Sequence, residues 1–151
     1  MTLIKSRRAI EDCKVALSWF QREPIAEDFR LILVLCLTML RAVGHIIKSE
    51  CESDEQLNLI QKQMWKNKQC DLLYLNFIRK FRDNVIKEFR APVSWASITI
   101  YETKEHRMEY VISDYEYKGR DVREMIQESI DWWMCYVEKV EAEYSDIETS
   151  Q

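Results

Sequence analysis

Residues 25–48 read IAEDFRLILVLCLTMLRAVGHIIK, and nothing in this stretch interrupts a helix before Gly44. Its middle is apolar on nearly every side, which is the pattern of a central helix covered by several others rather than a surface helix with one buried stripe. The longest purely apolar run, Leu31 to Leu37, reaches Leu40 only by admitting Thr38. That is well short of the roughly 20 residues of a membrane span, so a core helix is expected and no membrane contact. Pro24, with its fixed φ and missing N–H, suits the first turn of this helix, which is expected to run from Ile25 to Lys48.

Three more helices surround it in the sequence. Ser6 is placed to cap a first helix with apolar positions Ile10, Cys13, Leu17 and Phe20, ending before Pro24. Ser53 and Gln56 have the spacing of a capping box and announce a third helix that ends near Asn67. A fourth, from Asp71 to Phe89, carries Tyr74, Phe77, Ile78, Phe81, Val85 and Phe89 at core spacing and stops before Pro92. Between Ser94 and Tyr117 the β-branched and aromatic clusters Ile98 to Tyr101 and Tyr110 to Ile112 flank the polar stretch Thr103 to Arg107. They are read as a β-hairpin or an aromatic crossing loop. After Gly119, Asp121 and Glu124 favour the positive end of a last helix. Its stripe of Ile126, Ile130, Trp133, Val137, Val140 and Tyr144 suits lengthwise packing on another helix. From about residue 145 the polar sequence is expected to fray.

The fold class that follows is mainly α: an antiparallel bundle of four to five helices with a short hairpin or aromatic loop before the last, in one domain over residues 1–151. Only two glycines and two prolines occur in 151 residues, consistent with long helices and few turns. A chain of this length buries a substantial core without metals or disulfides. The five cysteines, Cys13, Cys36, Cys51, Cys70 and Cys135, are odd in number and widely spaced. Each reads as a reduced, small buried apolar residue in a cytoplasmic protein, not as a metal ligand. The N-terminal MTLIKSRR lacks the apolar stretch of a secretory signal. Net charge is −4, but Lys62 to Arg90 carries eight basic residues against three acids, and Asp121 to Gln151 nine acids against two basic residues. Two oppositely charged helices lying side by side, or bracketing a dimer contact, account for that split.

No glycine-rich phosphate loop, paired zinc ligands or serine between glycines is present, the two histidines His45 and His106 leave most catalytic schemes few candidates, and no cofactor or metal is expected. Two polar interruptions remain. Thr38, Arg41, His45 and Lys48 line one face of the second helix, with Gly44 beside them. A mid-helix glycine costs about 1 kcal/mol relative to alanine, which points to close approach of a backbone or a ligand. On the fourth helix, Asn84 falls seven residues after Phe77, which puts an amide on the core face. Arg82, flanked by Ile78 and Ile86, lays its stem along apolar surface with its head at a cleft.

The segments Leu40-Arg41-Ala42-Val43-Gly44-His45 and Phe77 to Phe89 resemble the HEPN superfamily, the "higher eukaryotes and prokaryotes nucleotide-binding" helical domains of toxin–antitoxin, abortive-infection and other defence systems. The resemblance implies a metal-independent ribonuclease whose motif is an arginine, a polar residue and, after four to six intervening residues, a histidine, often completed across a homodimer. Arg82 and Asp83 match the first two places, whereas Lys87, Glu88 or Phe89 stands at the histidine place. The resemblance then implies His45 and Arg82 as catalytic candidates, with Arg41, Lys87, Asp83 and Asn84 holding phosphate in the same pocket. The base would take the 2′-hydroxyl proton while cations stabilise the phosphorane. The other reading is a non-catalytic HEPN-like module for dimerisation or for a cognate protein partner, with Trp132, Trp133 and Trp95 as contact anchors. A small-molecule carrier is the third.

Overall fold

The computed structural model describes residues 1–150, and it is a helical bundle with one hairpin. Its elements are α1 (Ile4–Phe20), α2 (Ala26–Cys51), α3 (Glu55–Lys68), α4 (π-helical over Tyr74–Phe81, then α-helical over Arg82–Lys87), β1 (Val93–Ile100), β2 (Glu105–Ile112) and α5 (Val122–Ser150). Five helices and a hairpin before the last helix agree with the sequence reading.

Helix α2 packs against α1, α3, α4 and α5, but its apolar middle is not covered on every side as expected: Leu31 is 60% exposed and Ile32, Val34, Leu35 and Met39 are half-buried. It also has the length and composition to cross a membrane, with a mean hydropathy of 1.9 over its best window. Here Phe29, Leu33, Cys36, Leu37, Leu40, Val43, Ile47 and Cys51 are buried in the bundle core. Its start differs from expectation, because Ile25 is the N-cap and Pro24 precedes it. The Pro24 carbonyl instead accepts a 2.6 Å hydrogen bond from the Tyr110 hydroxyl on β2.

Side chains from distant helices replace the local caps read from the sequence. Helix α1 begins at Ile4, so Ser6 lies inside its first turn and is fully buried. The Ser6 N–H and hydroxyl donate to Glu50 of α2 at 2.8 and 2.7 Å, and the Leu3 N–H donates to Glu141 of α5 at 2.7 Å. Two carboxylates thus satisfy N–H groups that a lone helix leaves open and oppose the positive end of its dipole. At α3 the cap is Asp54, whose Oδ1 accepts the Leu57 N–H at 2.8 Å, while Ser53 donates back to Glu50 O. The Tyr144 hydroxyl binds the other Asp54 oxygen at 3.1 Å.

The widened turns of α4 change which residues face inward. Phe77, Phe81 and Val85 are buried at steps of four, so Asn84 rotates off the core face and is only half-buried. Phe89 lies beyond the helix end with φ 53° and is 80% exposed, so it is not a core residue. Past α4, β1 and β2 pair antiparallel from Val93 opposite Ile112 to Ile100 opposite Glu105. The hairpin alternative therefore holds, with its loop at 101–104 rather than at Thr103 to Arg107. The Tyr110 ring pins the hairpin base to the bundle, 4.9 Å from Phe20 and 5.4 Å from Phe29. Gly119, at φ 91°, returns the chain, and Asp121 caps α5 by accepting the Arg123 N–H at 2.8 Å.

Helix α5 runs on to Ser150, so the segment expected to fray is helical. Tyr144 is tied to Asp54, Ile147 packs against the core, and Ser145 binds the Glu141 carbonyl at 3.0 Å. Trp132 and Trp133 are both buried, which removes them as contact anchors. They belong to an aromatic cluster with Trp65, Tyr74 and Tyr136: Trp65 stacks on Trp133 at 6.0 Å, and Tyr74 on Trp132 at 5.6 Å. Gly44 meets this cluster, since a Cβ there would lie 2.8 Å from Trp133 Cη2 and 3.3 Å from Cζ2. The close approach that Gly44 permits is therefore to a side chain.

Two outcomes are expected. Gly44→Ala gains about 1 kcal/mol of helix propensity, but an indole held between other rings cannot yield several tenths of an ångström. A net loss of about 1–3 kcal/mol in urea denaturation should follow. The second concerns pH. Burial opposes ionisation of Glu141, but the hydrogen bonds from Arg7 and the Leu3 N–H, with the charges of Arg7 and the N-terminal ammonium, outweigh it and hold its pKa below the ordinary glutamate value of 4.5. Asp121 is similar: burial opposes ionisation and Arg123 outweighs it, leaving the pKa below 3.8. Both groups bind protons more weakly folded than unfolded, so their stabilisation is present above those values and disappears as pH falls through them. Thermal melts should drop on acidification below about pH 4.5, and Glu141→Gln should lower Tm at pH 7 and flatten that acid limb.

Candidate functional site

A broad concavity of about 1230 Å³ lies between α2 and α3, with α5 at one side. Helix α2 contributes Arg41, Gly44, His45 and Lys48, at the three- and four-residue steps that keep them on one face. Helix α3 contributes residues from Gln56 to Asn67, including Lys62 and Lys66 one turn apart on its solvent side. Tyr74 and half-buried Trp65 form part of the wall. Three lysines, an arginine and a histidine thus border an aromatic and apolar surface, and Glu143 is the one acidic residue of the lining.

Arg41 is held in place. Its guanidinium donates to the Tyr74 hydroxyl and sits 5.6 Å from the centre of the Tyr74 ring. A cation stacked on an aromatic face keeps its remaining N–H groups in a defined plane, which suits recognition of planar or multidentate oxyanions. Lys48 and His45 are exposed, and Lys48 also lies 3.9 Å from Glu52. Among the described residues no carboxylate or carbonyl hydrogen-bonds the His45 ring. A general base needs such an orienting partner and a reacting group within reach.

The second expected cluster lies elsewhere. Leu75, Asn76, Arg79, Lys80, Asp83, Asn84 and Lys87 line a shallow depression of about 470 Å³ on α4, with no residue in common with the α2–α3 groove. Asp83 pairs with Arg82 through Oδ1 and lies 3.8 Å from Lys87 through Oδ2, so one carboxylate engages both cations. The Arg82 Nε is enclosed with no hydrogen-bond partner, and its head lines neither concavity. Helices α2 and α4 run antiparallel, with Arg41 over the Tyr74 ring and Arg30 over the Phe89 ring at 5.4 Å. Arg82 follows Tyr74 by eight residues, about two turns further along α4 and away from Arg41. Within one chain Arg41 and His45 therefore share a groove, whereas Arg82, Asp83, Asn84 and Lys87 stand apart from it.

Lys62, Lys66, Trp65 and Tyr74 complete the groove; the sequence reading named none of them as a site residue, and placed Tyr74 in the core. The surplus of positive charge from Lys62 onward was the available signal, together with the four-residue step between the two lysines. The tertiary packing that points them toward Arg41 left no mark in the chain. Among the described residues no cluster of metal-ligating side chains occurs. Cys13, Cys36 and Cys51 are free and buried, and burial pushes each thiol up to about 12. Cys70 and Cys135 are exposed, contrary to the expectation of burial. The chemistry on offer in the groove is charge, hydrogen-bond donors and aromatic surface, which bind an anion without an assembled acid–base pair.

No family model, no curated protein and no solved structure matches this chain, so the HEPN resemblance rests on the motif residues alone.

Proposed function

We propose that this chain is a cytoplasmic helical module that binds a phosphate-bearing ligand, RNA or a nucleotide, in the α2–α3 groove and does not cleave it. The observation that carries the reading is the meeting of Arg41, His45, Lys48, Lys62 and Lys66 on one concave surface beside Tyr74 and Trp65. Clustered cations supply salt-dependent affinity for phosphates, and aromatic faces accept bases by stacking. The HEPN-like setting, a toxin or phage-defence component, is part of the proposal and gives this binding a role in recognising RNA. The separation of Arg82 from His45 is what supports binding over ribonuclease action.

Fluorescence anisotropy with a short single-stranded RNA tests this. Lys62→Glu with Lys66→Glu should weaken binding at least tenfold at low salt. It should also flatten the dependence of log K on log salt by about 1.4, the share of two phosphate contacts at ~0.7 each. Arg82→Ala, remote from the groove, should bind as wild type does. Unchanged affinity in the double variant would remove the groove as the site. RNA cleavage by wild type that disappears in His45→Ala would overturn the non-catalytic reading.

A further inference from the structure

The two edges of the hairpin are treated differently. Ser113 N–H donates to Pro92 O at 2.8 Å, which continues the ladder by one pair. Alternation then makes Ser94, Ala96, Ile98 and Ile100 the hydrogen-bonded positions of β1 and turns the backbone groups of Trp95, Ser97 and Thr99 outward. The same alternation turns His106, Met108, Tyr110 and Ile112 outward on β2, and the last three have partners. Ile112 N–H donates to Arg120 O at 2.9 Å and its carbonyl accepts Gly119 N–H at 2.8 Å. Tyr110 N–H donates to Asp121 at 3.3 Å. Met108 N–H donates to Glu23 at 2.9 Å, and its carbonyl accepts Arg123 at 2.8 Å.

Nothing in the described residues occupies the outer edge of β1 from Trp95 to Thr99. Soluble proteins guard an open edge with a lysine, a proline or a bulge, and within β1, VSWASITI, none of these occurs. All the charges of the hairpin lie on β2 and the connecting loop. Trp95 is 44% exposed and Tyr101 91% exposed at the two ends of this edge.

We infer that β1 pairs antiparallel with β1 of a second copy of this chain, joining two hairpins into a four-stranded sheet across a twofold axis. An uncharged strand meets itself with no like charges opposed, which is what favours a second copy as the occupant. Of the registers that keep each face continuous, the one that sets the two aromatic residues Trp95 and Tyr101 opposite each other also places Ile98 opposite itself and Ala96 opposite Ile100, and it is the register inferred. Ser97 and Thr99 then exchange the outward hydrogen bonds. This contact is independent of the α2–α3 groove.

Sedimentation velocity of the full chain, with circular dichroism to verify folding, tests the inference. Wild type should sediment as a dimer. Ser97→Pro removes an outward donor that β2 does not use, and should weaken the dimer at least about tenfold, since two hydrogen bonds near 1 kcal/mol each are lost. A cross-link supplies a readout that needs no disruption. With the exposed thiols removed as Cys70→Ser and Cys135→Ser, Ile98→Cys should form an intermolecular disulfide on mild oxidation. The facing α-carbons would be about 4.5 Å apart, within disulfide reach. Glu102→Cys in the loop should not cross-link. A monomeric wild type overturns the inference and leaves the edge to an extended segment of another protein. A folded Ser97→Pro dimer of unchanged affinity, or an Ile98→Cys chain that does not cross-link, overturns it as well.

Discussion

The contact between Gly44 and Trp133 holds the bundle in register. The indole occupies the space that a side chain at Gly44 would need, with ring atoms 2.8 to 3.8 Å from where a Cβ would stand. With no side chain at Gly44, helix α2 leaves room for the Trp133 ring of α5 to lie against its backbone. Around that point the other rings take their places: Trp65 from α3, Tyr74 from α4, and Trp132 and Tyr136 from α5, with centroids 4.7 to 6.3 Å apart. Four helices are thus tied through one aromatic cluster. Edge-to-face and offset pairs of this kind are directional, so the cluster sets helix orientation as well as burying area.

The groove is a consequence of the same contact. Gly44 lines it, so Trp133 supports its floor from beneath while Arg41, His45 and Lys48 rise from the neighbouring turns of α2. Tyr74 serves both layers, packing on Trp132 inside and holding Arg41 outside. Charge is distributed to match. Several acids of α5 are engaged within the molecule: Glu141 with Arg7 at 2.6 Å and with the start of α1, and Glu128 with Arg120 at 2.5 Å. Among the described residues no ion pair joins α5 to Lys62 or Lys66, and these lysines remain directed at the groove. Helix α3, from the basic middle of the chain, thus lies beside the acidic α5 without ion pairs that would neutralise Lys62 and Lys66.

Interior order was the part of the fold legible in the chain. Apolar period, proline positions and the long stripe from Ile126 to Val140 specify where helices run and which faces are buried, because these depend on neighbours three and four residues away. Ends were less legible. Ser6 and Ser53 have the chemistry of caps, but carboxylates 44 and 138 residues distant in sequence serve α1 instead, and Asp54 serves α3. A local rule cannot register a partner brought in by the fold. Phe89 was misplaced because the helix ends at Lys87 before reaching it, and Asn84 because the π-helical turns over Tyr74–Phe81 shift the phase of the residues after them. Nothing in the residue pattern announces that shift.

For the site, the sequence by itself determined that Arg41, His45 and Lys48 share a helix face and that a positive segment follows, since both depend only on spacing and composition. The tertiary structure alone decided that Lys62 and Lys66 join that face. It likewise decided that Arg82, Asp83, Asn84 and Lys87 stand apart from it, because α4 runs antiparallel to α2 and carries them away from Arg41. Whether two polar stripes meet depends on helix direction and crossing, and these are set by the packing of Trp133 and its neighbouring rings. Residue spacing within either helix carries no information about that packing.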